Sequence, residues 1–156
     1  MSGFRGFLLF IFLIPGLFLG QCPSGDILLE TQEQVDQFSA NYPSCSLIPG
    51  DLVIKGNEVT DLSFLKNITQ VAGDLNIDQT GVTSLNLDNL ESVGGDLIVY
   101  GNEKIKALDV PKILSIGRNL VLNGNRDLIE ISGFYEIVSI HHLAISDNWY
   151  LTTIPE

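Results

Sequence analysis

Apolar and polar residues alternate along the chain in a short pattern that keeps returning. Gly50-Asp51-Leu52-Val53-Ile54 recurs as Gly73-Asp74-Leu75-Asn76-Ile77 and as Gly95-Asp96-Leu97-Ile98-Val99. Weaker copies are Arg118-Asn119-Leu120-Val121-Leu122 and His141-His142-Leu143-Ala144-Ile145. The central leucine falls at 52, 75, 97, 120 and 143, so the spacing is 22 or 23 residues. Alternation with period two is the signature of a strand, and no helical pattern of ten residues separates the copies. Ile48, Val71, Val93 and Ile116 stand four residues before the leucines. A second apolar set follows each copy: Leu62 and Leu65; Leu85, Leu87 and Leu90; Leu108, Val110 and Ile113; Leu128 and Ile131; Leu151 and Ile154. A repeat of this length is too small to bury its own apolar face and must stack on its neighbours. The expectation is a mainly β solenoid of about five coils, with the second apolar set as the other wall.

Asn57, Thr80, Asn102, Asn125 and Asn148 stand five residues after the leucines. Asn57, Asn102, Asn125 and Asn148 would form a ladder of amides at one corner, each donating to and accepting from backbone at the turn. Ordinary Gly-Asn turn chemistry at Gly56-Asn57, Gly101-Asn102 and Gly124-Asn125 accounts for the same residues. Both readings are structural. Thr80 interrupts the series and marks an expected weak coil. Ahead of the copies, Thr31-Gln32-Glu33-Gln34 has the form of a capping box, and Val35 and Phe38 fall on one face of a short helix near 32–40. After the fifth copy no distinct cap is visible, which leaves an exposed strand edge and the expectation of an end-to-end contact there.

Residues 1–21 read as a signal peptide. Arg5 precedes an apolar run from Phe7 to Leu19, about 13 residues against the ~20 that a membrane span needs. Cleavage is expected near Gly20 or Gln21. Of the 156 residues, 8 are Lys or Arg and 19 are Asp or Glu, giving a net charge of −11; loss of Arg5 with the leader takes it to −12. A chain so acidic lacks the positive footprint of a nucleic-acid binder and is not drawn to anionic membranes. Export favours disulfides. The two cysteines, Cys22 and Cys45, are most simply one bridge, worth about 3 kcal/mol. With two Cys and two adjacent His, no four-ligand zinc site can be assembled. No cofactor and no catalytic motif is indicated.

Together, Cys22-Pro23-Ser24-Gly25-Asp26-Ile27, then Cys45-Ser46-Leu47-Ile48-Pro49-Gly50-Asp51-Leu52-Val53-Ile54, then Asp61-Leu62-Ser63-Phe64-Leu65 and the later Gly-Asp-Leu copies resemble the receptor L domain. This is the leucine-rich module of insulin-receptor and epidermal-growth-factor-receptor ectodomains. The resemblance spans residues 22–156, with 22–46 as a bridged N-terminal cap. In form it is also similar to secreted proteins of Bacteroidetes-type bacteria. It implies a right-handed β-helix-like fold and a sheet face used for binding. The chain carries no Cys-rich module or membrane span after the leader, so signalling is not expected to carry over.

Three rows should face outward from the main sheet. The first is Asp51, Asp74, Asp96, Asn119 and His142; the second Val53, Asn76, Ile98, Val121 and Ala144; the third Lys55, Asp78, Tyr100, Asn123 and Ser146. Val53, Lys55, Asp78, Ile98, Tyr100, Val121 and Asn123 form the candidate surface for a protein or glycan partner. Stacked Asp51, Asp74 and Asp96 either gather a Ca²⁺ ion or accept hydrogen bonds from turn amides; the second is favoured. His141 and His142 would point to opposite faces and cannot chelate one metal. Asn67-Ile68-Thr69 is a glycosylation sequon, relevant only in a eukaryotic secretory pathway. Trp149 and Tyr150 either pack on the last coil or dock onto a unit beyond it. The function expected is a secreted or cell-surface binding module without catalysis. A structural segment of a larger adhesin is the alternative. A polysaccharide-active β-helix enzyme is the remote one, since it needs a base beside the acids and the outer rows offer only Lys55.

Overall fold

A computed structural model describes residues 22–154; the expected leader lies outside them. The described residues are mainly β, with one α-helix. In order the elements are β1 (Ile27–Leu29), α1 (Gln32–Asn41), β2 (Leu47–Ile48), β3 (Leu52–Lys55), a 3-10 helix (Ser63–Asn67), β4 (Gln70–Val71), β5 (Leu75–Asp78), β6 (Ser84–Asn86) and β7 (Ser92–Val93). They continue with β8 (Leu97–Tyr100), β9 (Ala107–Val110), β10 (Ser115–Ile116), β11 (Asn119–Asn123), β12 (Glu130–Gly133) and β13 (His142–Ser146). Every strand pairing is parallel.

Three sheets result. The largest has six strands in the order β1-β3-β5-β8-β11-β13. Its register sets Leu52 against Leu75, Leu75 against Leu97, Leu97 against Leu120 and Leu120 against Leu143. The recurring leucine therefore forms one continuous row, and Ile54, Ile77, Val99 and Leu122 form a second row two residues on. Both rows point inward and are buried as far as Leu122. The set four residues before the leucines makes a separate sheet of two-residue strands, β10-β7-β4-β2, and the third sheet is β12-β9-β6. Two walls were expected, and there are three. The region of Leu62 and Leu65 is a 3-10 helix rather than a strand, with Phe64 and Leu65 turned into the core.

The main sheet has six strands where five copies were expected. The sixth is β1, ahead of the others, with Ile27 registered on Leu52. It belongs to Gly25-Asp26-Ile27-Leu28-Leu29, a copy whose central residue is isoleucine and which precedes the next by 25 residues. Helix α1 then packs beside this strand. Thr31 Oγ1 accepts from Gln34 N–H (3.2 Å), and Gln34 Oε1 accepts from Glu30 N–H (2.6 Å), so the cap is reciprocal but reaches one residue further back than expected. Val35 and Phe38 are buried, and the Phe38 ring lies 5.3 Å from both Tyr42 and Phe64. Gln32 Oε1 fastens the helix to the following loop by accepting from Thr60 and Asp61 N–H. Cys22 and Cys45 are joined, with Cα atoms 4.7 Å apart.

The core is one cluster running through all three sheets. It includes a column that the sequence pattern did not bring out: Val59, Val82, Ile105 and Leu128, each 23 residues after the last. At β13 the burial ends. Leu143 occupies the inward leucine row, yet it is 57% exposed, since among the described residues no strand follows β13 in the sheet. Beside it, Leu120, Phe134, Ile137, Ile140 and Ile145 line an apolar groove of about 200 Å³.

Leu97 is fully buried on the fourth of six strands, and Val121 is half-buried on the outer side. Leu97→Ala should cost about 2–5 kcal/mol in urea unfolding. Val121→Ser should cost less than about 1 kcal/mol. Equal costs would contradict the inward–outward assignment of the main sheet.

Candidate functional site

The outer face of the six-stranded sheet carries the second and third expected rows in register. Leu28, Val53, Asn76, Ile98, Val121 and Ala144 stand opposite one another in sequence across the sheet. Lys55, Asp78, Tyr100, Asn123 and Ser146 do the same two residues on. Parallel pairing brings these residues, drawn from separate passes of the chain, onto one surface. Leu28 extends the apolar row by one strand and was not among the expected residues.

Tyr100 is 46% exposed on β8. Ile98 precedes it by two residues on the same strand, and Val121 lies opposite Ile98 on β11. Lys55 Nζ is 3.1 Å from Glu30, so the lysine of the outer rows is ion-paired. Asp78 accepts from Gln79 Nε2, and Asn123 Nδ2 donates to Ser146 Oγ at 2.6 Å. A shallow recess of about 400 Å³ opens beyond the strand ends, lined by Glu30, Lys55, Asn57, Asp78 and Gln79. In the apolar row, Asn76 is the polar exception. Its Oδ1 is buried and accepts no hydrogen bond among the described residues.

The aspartates at the strand entrances are occupied with backbone. Asp26 Oδ1 accepts from Asp51 N–H (2.9 Å), Asp51 Oδ1 from Asp74 N–H (2.8 Å), and Asp74 Oδ1 from Asp96 N–H (2.8 Å). Asp96 Oδ1 accepts from both N–H and Nδ2 of Asn119, and Asn119 Oδ1 lies 3.1 Å from His142 Nδ1. Each carboxylate bridges to the next strand, which is the hydrogen-bond alternative set against Ca²⁺. Among the described residues, no three His, Cys, Asp or Glu side chains gather as metal ligands. The glycine before each aspartate has a packing reason. A Cβ on Gly50, Gly73 or Gly95 would collide with the carboxylate arriving from the preceding strand.

In the fourth copy that glycine is replaced by Arg118. Its Nη2 bonds Asp74 Oδ1, and its Nε lies 3.7 Å from Asp96. Sequence reasoning missed this ion pair and counted only Lys55 near the acids; the signal was an arginine in a slot otherwise kept for glycine. The hydrogen bond to Asp74, then the charges of Asp74 and Asp96, hold the Arg118 pKa above its ordinary value. The guanidinium stays protonated and cannot serve as a base.

At the strand exits a second ladder runs through the interior. Asn102 Oδ1 accepts from Thr80 N–H (2.8 Å) and Thr80 Oγ1 (2.6 Å). Asn125 Oδ1 accepts from Asn102 N–H (3.1 Å), and Asn148 Oδ1 from Asn125 N–H (3.0 Å). Their Nδ2 groups donate inward to carbonyls of Ile77, Val99 and Leu122. Asn57, expected as the first rung, is exposed and makes no side-chain hydrogen bond among the described residues. Thr80, expected as a break, is the buried first rung at 4% exposure. The residue before each rung has positive φ, namely Gln79, Gly101, Gly124 and Asp147, as does Gly56 before Asn57. Glycine takes that conformation without strain, which explains the Gly-Asn pairs alongside the ladder.

His141 and His142 are both exposed. Trp149 is exposed too, with the Arg126 guanidinium 5.0 Å from its ring centre. Tyr150 is exposed near Ile129.

Parallel sheets with leucine-lined interiors and one broad outer face define a leucine-rich module of the receptor-ectodomain type. The receptor L domain family matches residues 44–138, and the chain belongs to that family. It is also 31% identical over 97 residues to a cell surface GPI-anchored protein of Arthroderma benhamiae. That match covers 62% of this chain and 24% of the relative, so the chain spans about a quarter of the relative's length. No solved structure matches the chain.

Asn102 joins Thr80, Ile77 and Asn125 in one buried network. Asn102→Ala would strand the Thr80 N–H and the Ile77 carbonyl, and should cost about 2–4 kcal/mol. Asn57→Ala should change stability by no more than about 0.5 kcal/mol. Chemical denaturation of the two variants checks this ranking.

Proposed function

We propose that the chain is an extracellular, non-catalytic binding module that takes its partner on the outer face of the six-stranded sheet. In this reading residues 1–21 direct export and are removed. Residues 22–156 then wind as a right-handed solenoid whose coils correspond to the strands of that sheet. The observation that carries the proposal is the half-exposed Tyr100, which stands in a polar row two residues beyond Ile98 and so borders the largely apolar row of Val53, Ile98 and Val121. Large aromatic groups near the centre of a patch dominate binding energy. The family relation and the cystine support the extracellular assignment, as does the cell-surface relative. A GPI anchor belongs to the eukaryotic secretory route, so we place this chain there rather than in a bacterial one.

The partner is a protein or glycan that lays apolar surface along Val53, Ile98 and Val121. Asp78 and Asn123 stand at the rim and govern rate and salt dependence more than affinity. The greater length of the relative supports a second role, as a segment of a larger surface protein, with the apolar end at β13 making an end-to-end contact.

Immobilised wild type should capture a partner from protein and glycan arrays. Tyr100→Ser should lower capture at least tenfold while Glu136→Ser, an exposed residue outside this sheet, leaves it unchanged. Equal capture by the two folded variants would move the site elsewhere.

A further inference from the structure

We propose that Asn67 carries an N-linked glycan, placed on the side of the fold served by the four-stranded sheet and away from the partner face. The proposal rests on the extracellular assignment above. Among the asparagines of the chain, Asn67 alone is followed by the x-Ser/Thr pattern, in Asn67-Ile68-Thr69. It is the last residue of the 3-10 helix Ser63–Asn67 and is exposed. Its amide makes no side-chain hydrogen bond among the described residues, whereas the residues after it are pinned. Ile68 is buried in the core with extended backbone, and Thr69 gives both N–H (2.8 Å) and Oγ1 (3.1 Å) to the carbonyl of Ser46. The chain thus holds Asn67 outward on an ordered support.

The next pass of the chain shows what occupation of such an amide looks like. Asn89 Nδ2 donates to the carbonyl of Lys66 (2.7 Å), and Asn89 Oδ1 accepts from Lys112 Nζ (2.6 Å). Asn67 has neither restraint, so a bulky substituent on its nitrogen displaces no contact. Three residues later β4 begins, and its Gln70 is registered on the half-exposed Leu47 of β2. A glycan at Asn67 therefore shields exposed apolar surface on the four-stranded sheet and leaves Tyr100 uncovered. In the reaction, Asn67 Nδ2 forms a bond to the anomeric carbon of an oligosaccharide carried on a lipid pyrophosphate. The sugar–phosphate bond breaks, the lipid pyrophosphate leaves, and the nitrogen gives up one proton.

The test is expression of the full chain, with its own leader, in a eukaryotic secretory host. The intact mass of secreted protein is measured before and after peptide-N-glycosidase. The expected result is a glycan mass removed by the enzyme, with Asn67 converted to Asp. Asn67→Gln should be secreted without it, Thr69→Ala should lack it, and Thr69→Ser should keep it. Because Asn67→Gln leaves the Thr69 bonds intact, its secretion separates loss of glycan from loss of folding. Secreted wild type with the Cys22–Cys45 bridge formed and Asn67 unmodified would overturn the proposal and leave the extracellular assignment standing. Retention inside the cell with both thiols alkylatable would overturn that assignment, and the glycan with it.

Discussion

A strand of four residues with one apolar face cannot persist alone, because its backbone groups and its inward side chains both need a neighbour. Every strand of the main sheet meets that need with the strand 22–25 residues away, always parallel and always in the same register. Register is the constraint on which the rest depends. A slip of one residue would turn Leu75 and Ile77 outward and bury Asn76 and Asp78 instead. Two ladders of side chains hold it. At the strand entrances each aspartate takes the amide of the next, and at the exits Thr80, Asn102, Asn125 and Asn148 are joined amide to oxygen. Both ladders join polar groups on neighbouring strands.

The same constraint makes the surface. Once the inward rows are fixed, the alternate positions are forced out, and six strands align them into rows wide enough to meet a partner. Tyr100 lies on an interior strand of that sheet, where its backbone is paired on both sides. The fold supplies rigidity there without help from Tyr100 itself. Where stacking stops, at β13, the cost is visible: Leu143 keeps its inward direction but remains half in solvent.

Periodicity made most of this legible. The alternation around each leucine predicted the main sheet and the sidedness of its residues, since period two leaves no freedom once one residue is known to be buried. What periodicity could not reveal was departure from consensus. Ile27 stands where later copies have leucine, and the 25-residue interval hid the first strand. Thr80 looked like a defect because it is not asparagine, but its hydroxyl and N–H both bond Asn102 Oδ1. Asn57 looked like a rung and is exposed. Arg118 reaches back across two strands to Asp74, a distance that no local pattern encodes. The four-stranded sheet was hidden for a simpler reason. Two-residue strands such as Ser92–Val93 are too short to show alternation.

Native-state hydrogen exchange tests the ladder account most directly. The amides of Asp51, Asp74, Asp96 and Asn119 at the entrances, and of Thr80, Asn102 and Asn125 at the exits, donate to side chains rather than to the sheet backbone. If these bonds fix the register, the amides should exchange as slowly as those of Leu75 and Leu97 within the strands, opening only when the strands separate. Exchange as fast as that of an exposed loop amide such as Asp88, while Leu75 and Leu97 stay protected, would contradict it.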